Sequence, residues 1–232
     1  VTDMRGEKKN LQYARREYWD KRFEEEKNYE WITGFDSFKD ILLKRLNKTY
    51  KILHIGCGSS DLSMQLRALG FMDITNVDYS EVLIASRKAA YPEQEWICDD
   101  IRTLSRVPKG VFDVVIEKAT IEAMLVAEKS PWSPSTEALS TLDCVWTAVS
   151  SCLKERGIFL SLSFTQPHFR IPALLRFPYW DVMVDEFGAG FHFFVYTCEK
   201  GRQPCPDVVR KYARMTPDWL LGSALLTHTA ND

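Results

Sequence analysis

Two glycines one residue apart, Gly56 and Gly58, follow a short apolar run, and an acid, Asp78, closes the next apolar run twenty-two residues after the first of them. These types at this spacing can hold a nucleoside. Glycine has no Cβ, so the backbone can turn sharply and approach a ligand closely, and an acid at the carboxyl end of the following strand can reach the hydroxyls of a ribose. Asp100 and Glu117 stand where two later apolar runs end, which would bring them to the same edge of a sheet.

Asp61 separates the two cofactors such a turn can serve. A dinucleotide site wants a third glycine three positions after the second, so that strand and helix close around a pyrophosphate. Here that position is an aspartate. Its charge opposes a doubly charged pyrophosphate, whereas S-adenosylmethionine carries no phosphate, so the turn favours the methyl donor.

The elements that must position these residues can be read from periodicity. The run 52–55 reads as a buried strand, 60–69 as a helix with Ser59 or Ser60 as cap, and 74–77 as the strand that delivers Asp78. A helix over 80–90 stops at Pro92, a third strand covers 95–98, and a fourth covers 112–117. A long helix starts near Thr136, Gly157 ends the turn before a fifth strand at 158–164, and a short helix covers 172–177. Strands at 180–187 and 191–198, joined through Gly188 and Gly190, form a hairpin. Upstream, 37–46 reads as a helix with Phe38, Ile41, Leu42 and Leu46 inward, and 10–27 as a charged helix on which Trp19 and Phe23 share a face. That aromatic face either packs on the domain or closes over a ligand. The alternation predicts a doubly wound α/β sheet with an antiparallel last strand.

Composition narrows the class. The 232 residues suit one domain, and no Gly/Ser or Pro linker divides them. A net charge of −2 offers nucleic acid no general attraction. The six cysteines contain no Cys-x-x-Cys pair, which fits reduced thiols in a cytoplasmic protein. No metal is expected, because the four histidines and the cysteines lack ligand spacing. His54, on the first strand, reads as a core histidine. No apolar run is long enough for a membrane span, and the N-terminus lacks the apolar core of a secretory signal. The loop Glu117-Lys118-Ala119-Thr120 has no Asp/Asn-Pro-Pro-aromatic motif of the kind found in amino methyltransferases acting on nucleic-acid bases.

Together, Tyr18-Trp19-Asp20 with Arg22-Phe23, Trp31, Ile55-Gly56-Cys57-Gly58-Ser59, Val77-Asp78-Tyr79-Ser80, Asp100-Ile101-Arg102, Glu117-Lys118-Ala119-Thr120 and Pro167-His168-Phe169-Arg170 resemble the elongation factor 1-alpha lysine methyltransferase group of class I methyltransferases. The resemblance spans about residues 13 to 201. It implies a Rossmann-like, doubly wound seven-stranded sheet with an N-terminal helical lid in one domain over 1–232: lid 1–34, core 35–201 and C-terminal extension 202–232. It implies S-adenosylmethionine as cofactor, held by Trp19, Phe23, Trp31, Gly56, Asp78, Tyr79, Asp100, Ile101 and Glu117. Asp78 would take the ribose, Tyr79 and Ile101 the adenine faces, Asp100 or the Ile101 amide its polar edge, and Glu117 the ammonium of the methionine portion. The three lid aromatics would shield the sulfonium. The family often has Asn at position 59 and Gly at 119, where this chain has Ser59 and Ala119.

The implied acceptor is a protein lysine on elongation factor 1-alpha, with no nucleic acid or membrane as partner. Transfer is an in-line displacement on an already activated methyl group, so the protein must mainly position a neutral amine. With an ordinary lysine pKa of about 10.4, deprotonation at pH 7 costs roughly 4.6 kcal/mol. A partly apolar channel lowers that cost. Glu122, His168, Phe169, Tyr179, His192 and Phe193 are candidates to line it, and no residue is assigned as a general base.

Overall fold

A computed structural model describes residues 10–213 of the chain. Residues 1–9 of the expected lid and 214–232 of the expected C-terminal extension lie outside the described residues. A 3-10 turn (Leu11–Ala14) and α1 (Arg16–Glu25) are followed by a second 3-10 turn (Phe35–Ser37) and α2 (Lys39–Leu43). Then come β1 (Ile52–Ile55), α3 (Leu62–Ala68), β2 (Ile74–Asp78), α4 (Glu81–Ala90), β3 (Glu95–Cys98), β4 (Phe112–Lys118) and α5 (Thr120–Met124). The chain continues through α6 (Thr136–Cys152), β5 (Leu153–Ser163), α7 (Pro167–Leu175), β6 (Trp180–Phe187), β7 (Phe193–Lys200) and α8 (Pro206–Ala213).

The strands form one seven-stranded sheet in the order β3-β2-β1-β4-β5-β7-β6. β1 to β5 pair in parallel, and β7 runs antiparallel to both β5 and β6. From β1 the chain moves one way to β2 and β3, then returns to the other side for β4. That reversal opens a crevice at the carboxyl ends of β1 and β4, the place where ligands bind in doubly wound sheets.

Both faces of the sheet are covered, which is why β1 and β2 are buried throughout. Leu53, Ile55 and Val115 pack on one side with Trp146 and Val149 of α6 and Leu174 of α7. Ile52, Ile74, Val114 and Ile116 pack on the other with Phe38 and Leu42 and with Leu62 and Leu66 of α3. Each such side chain contributes about 1.5–3 kcal/mol through burial. Two helices start on hydroxyl caps: Ser80 Oγ accepts from Leu83 N at 3.3 Å and Ser135 Oγ from Ala138 N at 3.1 Å.

Several boundaries differ from the sequence expectation, among them the helix at 10–27, which divides into the first 3-10 turn and α1 at extended Arg15. β5 begins at Leu153 rather than 158, because the chain enters the sheet through an irregularity where the register shifts and Arg156 takes φ 66°. Gly157 lies in that crowded passage, where a Cβ would meet the Lys154 carbonyl at 2.9 Å. α7 starts at Pro167, a favourable first helical position, and carries Pro172 inside it. The expected helix at 37–46 divides into a 3-10 turn and the five-residue α2. β7 begins at Phe193, since the pairing of Phe187 with Phe193 leaves 188–192 as the hairpin loop.

Candidate active site

The turn after β1 carries Gly56 at φ 57° and Gly58 at φ 50°, both in the left-handed region that side chains with a Cβ adopt at a cost. Gly56 is further constrained, because a Cβ there would collide with the Thr120 side chain, whose Oγ1 donates to the Gly56 carbonyl at 3.1 Å. Asp78 lies under this turn with 4% of its surface exposed. Its Oδ2 accepts from Gly58 N at 3.0 Å and its Oδ1 from Ser80 N at 3.1 Å. A carboxylate has about four acceptor positions, so each oxygen keeps capacity for a ligand hydroxyl. Burial lifts the Asp78 pKa to about 6, against the lowering effect of the backbone bonds from Ser80, Gly58 and Tyr79.

A cavity of about 530 Å³ opens beside this turn, lined by Gly56, Gly58, Asp78, Tyr79, Asp100 and Ile101 from the sheet edge and by Trp19, Phe23 and Trp31 from the N-terminal segment. Eight of the nine residues expected at the donor site therefore meet on one cavity. Asp100 projects beside Arg102, which donates to it from Nε at 2.9 and 3.0 Å. Burial raises the Asp100 pKa, but hydrogen bonds from Arg102 outweigh it and hold the group below its ordinary value.

Glu117 is the exception. It is fully buried beneath the cavity, its Oε2 accepting from Thr120 N at 3.1 Å and its Oε1 from Ser161 Oγ. Side chains alternate along a strand, and Lys118 lines the cavity while the Glu117 carboxylate is enclosed between Thr120 and Ser161. Burial, and secondarily Glu122, pushes the Glu117 pKa up. Ala119, next along, takes φ 61°. That conformation is the physical reason for a glycine at this position in the family.

The roof of the cavity is aromatic. Trp19 stacks on Phe23 at 5.7 Å and meets Trp31 edge-on at 5.8 Å, while Trp31 also meets Tyr13 at 5.5 Å and Tyr29 at 5.1 Å. Trp19 Nε1 donates to the Tyr13 carbonyl at 2.7 Å. Among the described residues α1 has none that is fully buried, and Phe23 both lines the cavity and packs against the cluster of Cys57, Leu83, Ile84 and Trp96.

Carboxylates tie this roof to the glycine turn. Ser59 Oγ donates to Glu26 at 3.2 Å, while Ser60 Oγ at 3.1 Å and Asp61 N at 2.7 Å donate to Glu30. Lys118 donates from Nζ to Glu30 and, at 3.1 Å, to the Trp31 carbonyl. Burial lowers the Lys118 pKa and Glu30 opposes that shift. Thr33 N closes a three-residue turn on the same Trp31 carbonyl at 3.0 Å, with Ile32 at φ 75°, a rare and strained geometry that turns Trp31 toward the cavity. Glu26, Glu30 and Lys118 were not legible as site residues, because each sits in a charged stretch whose default reading is a solvated face.

His54 is buried, as expected, and burial followed by nearby Lys118 drives its pKa to about 3, leaving a neutral imidazole at the cavity wall. Of the residues considered for an acceptor channel, Glu122 lines the cavity. His168 stacks on exposed Trp132 and Phe169 meets it edge-on, and His192 pairs with Glu186 near the hairpin. No group of three or more His, Cys, Asp or Glu among the described residues is placed to hold a metal ion. No helix among them is long and apolar enough to cross a membrane.

The lining fits a cationic nucleoside better than a phosphorylated one. Both cations on the cavity wall, Lys118 and Arg102, are held by carboxylates, and the Glu30 carboxylate occupies the start of α3, where a pyrophosphate would sit in a dinucleotide site. An aromatic roof attracts positive charge.

Residues 53–160 match the family described as Methyltransferase domain. The chain is 40% identical over 201 residues to EEF1A lysine methyltransferase 4 of Mus musculus, covering 84% of this chain and 78% of that protein. It is 31% identical over 176 residues to the eEF1A lysine and N-terminal methyltransferase of Homo sapiens, covering 73% of this chain and 24% of that one. Among solved structures, a SAM-dependent methyltransferase from Methanosarcina mazei superposes with a TM-score of 0.51 at 17% identity, over 69% of this chain and 96% of its own, which is a likeness of fold.

Proposed function

Since the chain belongs to the methyltransferase family that includes EEF1A lysine methyltransferase 4, we propose that it is an S-adenosylmethionine-dependent protein-lysine methyltransferase acting on elongation factor 1-alpha in the cytoplasm. The observation that carries the donor assignment is the convergence of Asp78, the glycine turn and an aromatic roof on one cavity. The acceptor assignment rests on the relatives, whose names specify lysine methylation of that factor.

Asp78 binds the ribose through the acceptor capacity left by Gly58 N and Ser80 N. Hydrogen bonds to a charged group contribute roughly 1.5 to 3 kcal/mol each. Tyr79 and Ile101 flank the base, with Asp100 at its polar edge. Trp19, Phe23 and Trp31 shield the sulfonium and exclude water. Glu117 holds the Thr120 turn that braces Gly56, at the strand end expected to face the ammonium of the methionine portion. When bound, S-adenosylmethionine supplies an activated methyl group, and the protein orients an amine toward it.

Calorimetry with S-adenosylhomocysteine and with NAD, followed by parallel incubation of purified elongation factor 1-alpha, bulk tRNA and a metabolite extract with labelled methyl donor, tests both halves. The expected outcome is binding of the homocysteine compound, little affinity for NAD, and label in the protein. Tight NAD binding would overturn the donor site. Label confined to tRNA or small molecules would overturn the acceptor.

A further inference from the structure

Glu122, on α5, has a side chain only 8% exposed and lines the cavity on the side away from Asp78. Its Oε1 is crowded by hydrogen-bond donors: Arg170 Nη2, Ser163 Oγ, and Thr165 Oγ1 at 3.0 Å. Its Oε2 is buried and has no hydrogen-bond partner. Folded proteins rarely leave a buried carboxylate oxygen unmatched, so the vacancy marks where an incoming molecule brings an N–H or O–H.

The surroundings select which molecule. Met124, Val126 and Phe164 line the same cavity, so Glu122 has apolar side chains to accompany it, with Glu137 and Thr141 of α6 as further polar lining. Such a lining suits an alkyl stem ending in nitrogen. We infer that Glu122 is the acceptor-binding carboxylate: its Oε2 accepts one N–H from the substrate lysine amine while the methylene chain packs on the apolar side chains. An amine bound in this way keeps its lone pair free for the methyl group. The fully buried Arg170 guanidinium offsets the charge of Glu122, and burial beside Glu122 raises the pKa of Glu117, which keeps the net negative charge next to the amine low. This inference rests on the lysine methyltransferase reading and names the group that executes it.

Glu122→Gln tests it, because the amide retains an oxygen for Arg170 and replaces the accepting Oε2 with a group that donates. The expected result is a loss of roughly tenfold to a hundredfold in kcat/KM for elongation factor 1-alpha, with S-adenosylhomocysteine affinity and circular dichroism unchanged. Thr165→Val, which removes one anchor from Oε1, provides a second variant that spares the buried ion pair. It should lower kcat/KM several-fold at constant donor affinity. Wild-type kcat/KM in both variants would overturn the inference and leave the lysine reading standing. A parallel fall in donor affinity would overturn it too, by assigning Glu122 to the amino group of the methyl donor. If the wild-type protein labels no lysine, the reading itself fails and the inference with it.

Discussion

At the scale of residues, Asp78 sets the pH response. Burial raises its pKa in the folded chain to about 6 from an ordinary 3.8, so between those values the folded state binds more protons than the unfolded one. The stability of the free protein therefore falls as pH rises from about 4 to 6, by up to roughly 3 kcal/mol from this group. Ligand binding has the opposite sense, because ribose hydroxyls need the ionised form. S-Adenosylhomocysteine affinity should drop about tenfold from pH 7.5 to pH 5, and titration calorimetry across that range checks it. Asp78→Asn should abolish this dependence and weaken binding about tenfold at neutral pH. Asparagine is the better probe than alanine, which would orphan the amides of Gly58 and Ser80.

Ala119 is the other informative residue. Its left-handed backbone at φ 61° costs about 1–2 kcal/mol, and Ala119→Gly removes that strain while adding about 0.5–1 kcal/mol of chain entropy to be lost on folding. The expected net is a stabilisation of about 0.5 kcal/mol with donor affinity retained, readable by urea denaturation and calorimetry. A large loss of binding on substitution would mean that the Ala119 methyl contributes a contact of its own.

Among the elements, the N-terminal segment has the most to do with the site and was the least decided by sequence. The four-residue spacing of Trp19 and Phe23 gives a shared helical face, but periodicity does not distinguish a packing face from a covering one. The distinction lies in tertiary contacts: Asp20 accepting from Ser80 Oγ, Arg87 donating to the Lys27 carbonyl at 3.0 Å, and Glu30 bridging to Lys118. Trp19→Ala should weaken S-adenosylmethionine binding by roughly three- to thirtyfold, the range of a lost cation–π contact to the sulfonium, and chiefly by faster release. Stopped-flow displacement measures the release rate, and circular dichroism checks that the sheet is unchanged. The strands were legible where buried parallel runs left few alternatives, as at 52–55 and 74–77. The start of β5 was not, because a glycine in a crowded bulge reads like a glycine in a turn.

Across the whole molecule, the donor side was legible because its residues follow strand ends, and a strand end in a doubly wound sheet has a known position relative to the crevice. Glu117 shows the limit of that logic: it stands at the expected strand end, but its enclosure between Thr120 and Ser161 is set by tertiary packing that the strand pattern does not reveal. The Glu122 cluster proposed as the acceptor side was less legible, since it is assembled from α5, the end of β5 and the start of α7, which meet only through tertiary packing. The central claim is that this sheet edge delivers a methyl group to a protein lysine. Peptide mass spectrometry of purified elongation factor 1-alpha, incubated with the protein and with or without S-adenosylmethionine, tests it most directly. The account predicts donor-dependent methylation confined to a specific lysine and reduced about tenfold in Asp78→Asn at limiting donor concentration. An unmodified factor, under conditions where the protein binds the donor and methylates another class of molecule, would contradict it.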